Sequence, residues 1–163
     1  DQFKDRKVKK KYIGLTWGLW DNANGEINKP LLRDKKDPTR YSVNANGKIS
    51  ITKYEVEKIF RHSSLVSFFP LTGRTHQIRI HASHSGHPIF GDEKYGGGIS
   101  RSKGFLPEFK SHYKKMVQKF NRHALHAEKI ELIHPTSKQI VKFSAPLPKE
   151  YLDLVKSINL LNE

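Results

Sequence analysis

The chain has 163 residues, of which 30 are Lys or Arg and 16 are Asp or Glu, so its formal net charge is +14. It has no cysteine, which excludes disulfide bonds, Cys-ligated metal centres and a cysteine nucleophile. No apolar run approaches the roughly 20 residues of a membrane-spanning helix. The length permits one domain with a hydrophobic core. The charge predicts a polyanionic partner, which could be RNA, DNA or an anionic membrane surface.

The N-terminal half of the sequence predicts three strands and one long irregular segment. Apolar residues alternate with other residues over 12–19, which is typical of a half-buried strand. Residues 21–48 lack periodicity and predict an exposed excursion, with one short extended piece at 41–43. Two further strands, over 50–61 and 65–71, are separated by a few polar residues and predict a hairpin.

The C-terminal half mixes helices with a second predicted hairpin. A short helix fits 76–85, with Thr75 as its predicted N-cap. The remaining predicted elements are an irregular region over 93–121 with a helix near 110–120, strands over 124–133 and 139–145, and an amphipathic helix over 151–161. The pattern predicts an α+β fold, with a mixed, mainly antiparallel sheet, a few short helices and long basic loops.

The densest polar cluster is the run Leu71–His81, with the sequence Leu-Thr-Gly-Arg-Thr-His-Gln-Ile-Arg-Ile-His. His76 and Arg79 are three residues apart, so on a helix they face the same way. The alternation of charges with Ile78 and Ile80 indicates that the charged side chains lie close to buried surface. A guanidinium held by such a helix can bind a carboxylate or a phosphate through two hydrogen bonds.

Two alternatives use the nine histidines. His76, His81, His84 and His87 lie within twelve residues, which raises the hypothesis of a metal site. The spacing argues against it, because zinc-binding helices place histidines at i and i+4 and no carboxylate occurs nearby before Asp92. A ribonuclease that uses a pair of histidines as general acid and base is the other alternative.

Four blocks of the sequence form a recognisable series in their order and spacing. The blocks are Leu71–His81, His87–Gly96 (His-Pro-Ile-Phe-Gly-Asp-Glu-Lys-Tyr-Gly), Ala124–Pro135 and Ala145–Pro148. Together they resemble the RluA-type pseudouridine synthases, and the resemblance extends from about Lys9 to Tyr151. The segment with Pro30-Leu-Leu and Gly47-Lys48 is most similar to the branch that modifies large-subunit ribosomal RNA.

The resemblance implies an isomerase that uses no cofactor and no metal and converts uridine to pseudouridine in RNA, with ribosomal RNA as the expected substrate. It implies a cytoplasmic protein without a membrane partner. In this family an Asp carboxylate attacks the flipped-out nucleotide, a Tyr packs on the base and is proposed to take the carbon-5 proton, and an Arg pairs with the Asp. The Lys-x-Tyr strand and the Gln-Ile-Arg element place the catalytic Tyr at Tyr12 and the Arg at Arg79. The implied substrate-binding residues are Arg74, Thr75, His76, Gln77, Ile78, Ile80 and His81, with Ile78 or Ile80 lining the uracil pocket.

The sequence departs from the family at the nucleophile. The family's Asp lies in an Arg-Leu-Asp-x-x-Thr-Ser-Gly element upstream of the Lys-x-Tyr strand, and none of the seven Asp residues has those neighbours. Asp92 matches a family Asp that is not the nucleophile. We therefore expect residues 1–163 to be the C-terminal portion of a catalytic domain whose upstream Asp-bearing segment is absent, and to be inactive alone.

Three further expectations follow from this departure. Arg79 should pair with a substitute anion, such as a carboxylate from elsewhere in the chain. The full-length protein should be a monomer, whereas this chain could associate through sheet edges left unpaired. The alternative function is a non-catalytic RNA-binding module derived from the same family.

Overall fold

An antiparallel sheet of six strands dominates the structure, a computed structural model that describes residues 2, 5 and 7–162. Eight strands occur in chain order: β1 (Lys9–Trp17), β2 (Asn24–Asn28), β3 (Leu31–Arg33), β4 (Tyr41–Val43), β5 (Ile51–Ile59), β6 (Ser63–Pro70), β7 (Leu125–Ile133) and β8 (Ile140–Ser144). The strand order of the main sheet is β2-β5-β6-β1-β7-β8, and every neighbouring pair is antiparallel. β3 and β4 form a separate antiparallel hairpin.

Three α-helices and three short 3-10 helices complete the described chain. They are α1 (Gln77–His84), α2 (Pro107–Phe120) and α3 (Lys149–Asn159), with 3-10 turns at Glu93–Tyr95, Ile99–Ser102 and Leu160–Asn162. None of the helices in the described part of the chain is long and apolar enough to span a membrane.

The predicted α+β class and the two predicted hairpins are confirmed. β5 pairs with β6 and β7 pairs with β8, each through a short connection. The prediction for residues 21–48 was wrong in part, because this segment holds β2 and β3 as well as the expected piece at 41–43. These strands are short, and each buries a single apolar residue, Ile27 in β2 and Leu31 in β3. A strand with one buried residue has no detectable period.

The central strand β1 organises the core. It lies between β6 and β7, and the side chains of Leu15 and Trp17 are almost fully buried. The Trp17 ring stacks on that of Phe90, with 4.8 Å between the ring centres, and its centre lies 5.0 Å from that of Tyr113 of α2. Pairing with β6 and β7 and the packing of its buried side chains therefore fix β1. Its first residues, Lys9–Lys11, are more exposed than the buried second half of the strand.

Candidate active site

An open cavity of about 200 Å³ lies where the N-terminal end of β1 meets the start of α1. The residues around it are basic, aromatic or apolar, and no Asp or Glu of the described chain lines it. The lining residues are Lys10, Tyr12, Pro70, Thr72, Gly73, Arg74, His76, Gln77, Ile78, Arg79 and Leu125.

The strand β1 supplies two side chains to this cavity, Lys10 and Tyr12, which are two residues apart. This is the spacing at which residues of a strand point to the same face. The pairing of β1 with β7 shifts register beside them, because Lys11 pairs with Lys129 whereas Tyr12 pairs with Ala127. β7 therefore carries one extra residue here, and such bulges re-aim the side chains next to them.

The side chain of Gln77 fixes the loop that leads into α1. Its carbonyl oxygen accepts hydrogen bonds from the Thr72 hydroxyl at 2.6 Å and from the Arg74 amide at 3.0 Å. Its amide nitrogen donates to the carbonyl of Ile51 and to the hydroxyl of Thr52, both on β5. All four hydrogen bonds are made by a residue that is 4% exposed, so this glutamine determines how the cavity wall is attached to the sheet.

The start of α1 differs from the predicted N-cap at Thr75, which was wrong. The helix begins after His76, whose φ of 54° lies in the left-handed region, and no side chain caps it. The physical reason is that Gln77 already binds the Arg74 amide, and this bond closes the turn before the helix. Histidine is one of the non-glycine residues that adopt this conformation more often than most.

Arg79 is held by an acid that the sequence did not assign to this role. Its Nε and one terminal nitrogen donate to the two carboxylate oxygens of Asp92, each at 2.7 Å. The Asp92 side chain is 1% exposed, against 14% for that of Arg79. The guanidinium carbon also lies 4.8 Å from the centre of the Tyr95 ring. Arg79 therefore pairs with a carboxylate from elsewhere in the chain, and this carboxylate is Asp92.

A hydrogen-bonded pair supports this arrangement from beside α1. The Tyr95 hydroxyl lies 2.8 Å from Nδ1 of His76 and accepts a hydrogen bond from the amide of Tyr41 at 3.3 Å. Burial, together with the charge of Arg79, lowers the pKa of His76. Burial raises the pKa of Tyr95. At neutral pH the pair is uncharged, so the Tyr95 hydroxyl can donate to His76.

The structure brings six of the nine predicted site residues to the cavity. Three others lie elsewhere. Thr75 lies beside the Tyr41 hydroxyl, and this contact lowers the pKa of Tyr41. Ile80 packs in a separate cluster with Leu31 and Tyr95. His81 is fully buried on the side of α1 that contacts β5. The six at the cavity are Tyr12, Arg74, His76, Gln77, Ile78 and Arg79.

Sequence reasoning missed three residues of this region. Lys10 is the lysine of the Lys-x-Tyr element and was given no role, although its spacing of two from Tyr12 on a strand was a usable signal. Asp92 and Tyr95 lie in the block His87–Gly96, which carried part of the resemblance but no assigned role. Asp92 does not fit the part of nucleophile, since both its oxygens are bonded to Arg79 and it is buried.

The histidines do not converge on a metal. Within the ranges that the structure describes, no group of three or more His, Asp or Glu side chains is placed to hold a metal ion. His81 instead bonds the Thr52 hydroxyl through Nδ1 and the Lys29 carbonyl through Nε2.

Comparison with known proteins shows the family to which the chain belongs. The family model for RNA pseudouridylate synthase matches residues 1–84, which include the Lys-x-Tyr strand and the whole of α1. The chain belongs to the RNA pseudouridylate synthase family, which confirms its resemblance to the RluA-type enzymes and to their large-subunit ribosomal branch.

Two curated relatives illustrate the match. The chain is 36% identical over 160 residues to ribosomal large subunit pseudouridine synthase C of Buchnera aphidicola subsp. Baizongia pistaciae, covering 97% of the chain and 48% of that protein. It is 37% identical over 153 residues to synthase D of Blochmanniella floridana, covering 94% of the chain and 47% of that protein. The chain therefore spans about half the length of these relatives.

Solved structures show the same fold. Human RNA pseudouridylate synthase domain containing 1 superposes with a TM-score of 0.70 at 28% identity, over 90% of this chain and 58% of that one. Human RNA pseudouridylate synthase domain containing 4 gives a TM-score of 0.69 at 23% identity, over 96% of this chain and 64% of that one.

Proposed function

We propose that this chain forms the C-terminal portion of the catalytic domain of a pseudouridine synthase that acts on uridine in large-subunit ribosomal RNA. The observation that carries the proposal is that Tyr12 and Arg79, 67 residues apart in sequence, line one open cavity together with Ile78. The names of the curated relatives support the class of substrate. The net charge of +14 supports an RNA partner.

The reaction is an isomerisation, so its atoms and electrons balance without a cofactor. The bond between the ribose C1′ and the base N1 breaks, a bond from C1′ to the base C5 forms, C5 loses a proton and N1 gains one. The target nucleotide must leave the RNA stack, because these atoms are inaccessible in a helix. In this proposal the extracted base packs between Tyr12 and Ile78, and the Tyr12 hydroxyl takes the C5 proton.

Arg79 can bind the nucleophile without releasing Asp92. A guanidinium has five N–H donors in a fixed plane, and Asp92 takes two of them. The remaining donors are available to a second carboxylate on the cavity side. An adjacent cation keeps such a carboxylate ionised and positioned for attack. Asp92 and Tyr95 would then be positioning residues that act on the reaction through Arg79.

The nucleophilic carboxylate itself is proposed to come from a segment outside this chain. The cavity has no carboxylate among its described lining residues, and the relatives are about twice as long as the part that matches. In the longer protein we expect a monomer. The isolated chain is expected to associate through β8, an edge strand on which Ile140 and Phe143 are 63% and 60% exposed.

The test is a reconstitution series on uridine-containing fragments of large-subunit ribosomal RNA, with pseudouridine measured by mass spectrometry after digestion. The chain alone should give no product, and the chain fused to the Asp-bearing segment of a relative should give product. The Tyr12→Phe and Arg79→Met variants of the fusion should give no pseudouridine. A matched control is Tyr54→Phe, which lies outside this cavity and should keep activity.

Two results would contradict the proposal. Product from the chain alone would place the nucleophile within it. RNA binding without product from the folded fusion would favour the non-catalytic RNA-binding module. The length of the RNA on a denaturing gel serves as a further control, since shortened RNA would indicate a ribonuclease.

A further inference from the structure

Three consecutive lysines open β1, and their surroundings differ. The ammonium of Lys9 lies 3.0 Å from Glu131, and that of Lys11 lies 3.0 Å from Glu128 and 3.7 Å from Glu57. The lysine between them, Lys10, has no carboxylate within ion-pair distance in the described part of the chain. It is this lysine that lines the cavity with Tyr12.

The hydrogen bonding of Lys10 is also incomplete. An ammonium group has three donors. The only acceptor that the described residues offer to Lys10 is the carbonyl of Thr72, at the long distance of 3.4 Å. Lys10 is also partly buried, and burial lowers its pKa. A partly buried cation with spare donors, facing a cavity without a described carboxylate, is suited to binding an anion from solution.

The spacing of Lys10 and Tyr12 along β1 is similar to the distance between the base and the phosphate of a nucleotide. Two residues along a strand separate their Cα atoms by roughly 7 Å. This is comparable with the separation of the base and the phosphate in a nucleotide. If the base packs on Tyr12, its phosphate can reach the Lys10 ammonium, which lines the same cavity and lies 3.4 Å from the Thr72 carbonyl.

We propose that Lys10 binds a phosphate of the target nucleotide, so that β1 recognises the base with Tyr12 and the backbone with Lys10. This inference rests on the proposed function, because it assumes that uridine occupies the cavity. A lysine suits this role because its ammonium is a compact point charge that can follow a phosphate of variable orientation.

The experiment is an NMR titration of the isotope-labelled chain, at low salt, with uridine, uridine 5′-monophosphate and uridine 3′-monophosphate. Shifts of the Tyr12, Ile78 and Gly73 amides report occupancy of the cavity. At least one monophosphate should bind about tenfold more tightly than uridine, as a charge-assisted hydrogen bond provides. Inorganic phosphate should compete with that monophosphate and not with uridine.

Variants of Lys9 and Lys10 test which side chain provides the higher affinity for the monophosphate. Lys10→Met should reduce the affinity of the monophosphate to that of uridine, and Lys10→Arg should preserve most of the tenfold gain. Lys9→Met is the matched control, because it removes the same charge one residue away, from a side chain paired with Glu131. It should leave the ratio between monophosphate and uridine unchanged.

The failure modes are distinguishable. If uridine shifts the cavity residues but neither phosphate adds affinity, the role of Lys10 is wrong and the proposed function stands. The same holds if the gain survives in Lys10→Met, since another cation would then provide it. If neither uridine nor a monophosphate shifts these residues in the folded chain, the cavity is not a uridine site and both proposals fall.

Discussion

The two sides of α1 both carry polar side chains, but these side chains have different roles. On the buried side, Gln77 and His81 lie one turn apart, and their hydrogen bonds reach β5 and the Lys29 carbonyl. On the cavity side, Arg79 is bonded to Asp92 and retains donors that no described residue uses. On the buried side, the side-chain nitrogen and oxygen atoms all have hydrogen-bond partners, and these bonds fix the helix to the sheet. The cavity side is held in place and keeps spare hydrogen-bonding capacity.

The comparison teaches that a dense polar motif need not be a set of ligands. Of the arginine and histidine side chains in the run Leu71–His81, Arg74, His76 and Arg79 line the cavity, whereas His81 serves the fold. Gln77 does both, since it borders the cavity and holds its wall. Mutations on the buried side should therefore mainly reduce stability, and mutations on the cavity side should mainly reduce binding.

The largest effect on stability is expected at the ion pair that holds Arg79. Removing one partner of a buried ion pair leaves an uncompensated charge, so Asp92→Ala should lower the free energy of unfolding by about 3 kcal/mol. Chemical denaturation monitored by the fluorescence of the two tryptophans measures this. Asp153→Ala, at an exposed position on α3, is the control and should stay within about 0.5 kcal/mol of the wild type.

A double variant sharpens this prediction. Asp92→Ala combined with Arg79→Met removes both charges, so it should be less destabilised than the sum of the two single variants. A cost below about 1 kcal/mol for Asp92→Ala would show that the pair is solvated and does not hold Arg79 rigidly.

The buried side of α1 predicts a dependence of stability on pH. Burial lowers the pKa of His81 below its ordinary value of 6.5. Below that pH the unfolded chain binds a proton at this residue that the folded chain does not, so the stability present above pH 6.5 decreases as the pH falls. His62, His76, His87 and His123 have lowered pKa values for the same leading reason and act in the same direction.

The contribution of His81 can be separated by variants measured between pH 5 and pH 8. His81→Gln removes the titrating group, so its free energy of unfolding should fall less steeply below pH 6.5 than that of the wild type. His112→Gln, at an exposed position on α2, should retain the wild-type slope. Equal slopes for His81→Gln and the wild type would mean that His81 is protonated as readily in the folded chain as in the unfolded chain.

Sequence reasoning predicted the parts of the fold that repeat a pattern over many residues. β5, β6, β7, β8 and α3 each carry several apolar residues at strand or helix spacing, and all five were found close to their predicted bounds. β2 was missed because its pairing depends on a partner distant in sequence, and β3 because a strand of three residues with one buried side chain has no detectable period. β2 is positioned by its ladder with β5, in which Asn24 pairs with Glu55.

The candidate site was predictable to a similar extent. The resemblance pointed to Tyr12 and Arg79, and the fold places them at one cavity. The role of Asp92 was not readable, because the contact crosses from α1 to a loop 13 residues later and depends on burial. Nor could periodicity within one helix show that Ile78 faces the cavity while Ile80 faces Leu31, because both are apolar and both are buried.

The smallest predicted effect concerns the hydroxyl of Tyr95, which is bonded to His76 and to the Tyr41 amide. Tyr95→Phe removes these bonds and leaves the ring beneath Arg79, so it should cost about 1 kcal/mol of unfolding free energy. Tyr95→Leu also removes the ring and should cost more, because the guanidinium then loses its aromatic contact. Tyr54→Phe is the control, since the Tyr54 hydroxyl has no hydrogen-bond partner among the described residues, and its stability should be unchanged. If Tyr95→Phe and Tyr95→Leu cost the same, the ring does not support Arg79, and Asp92 alone holds it.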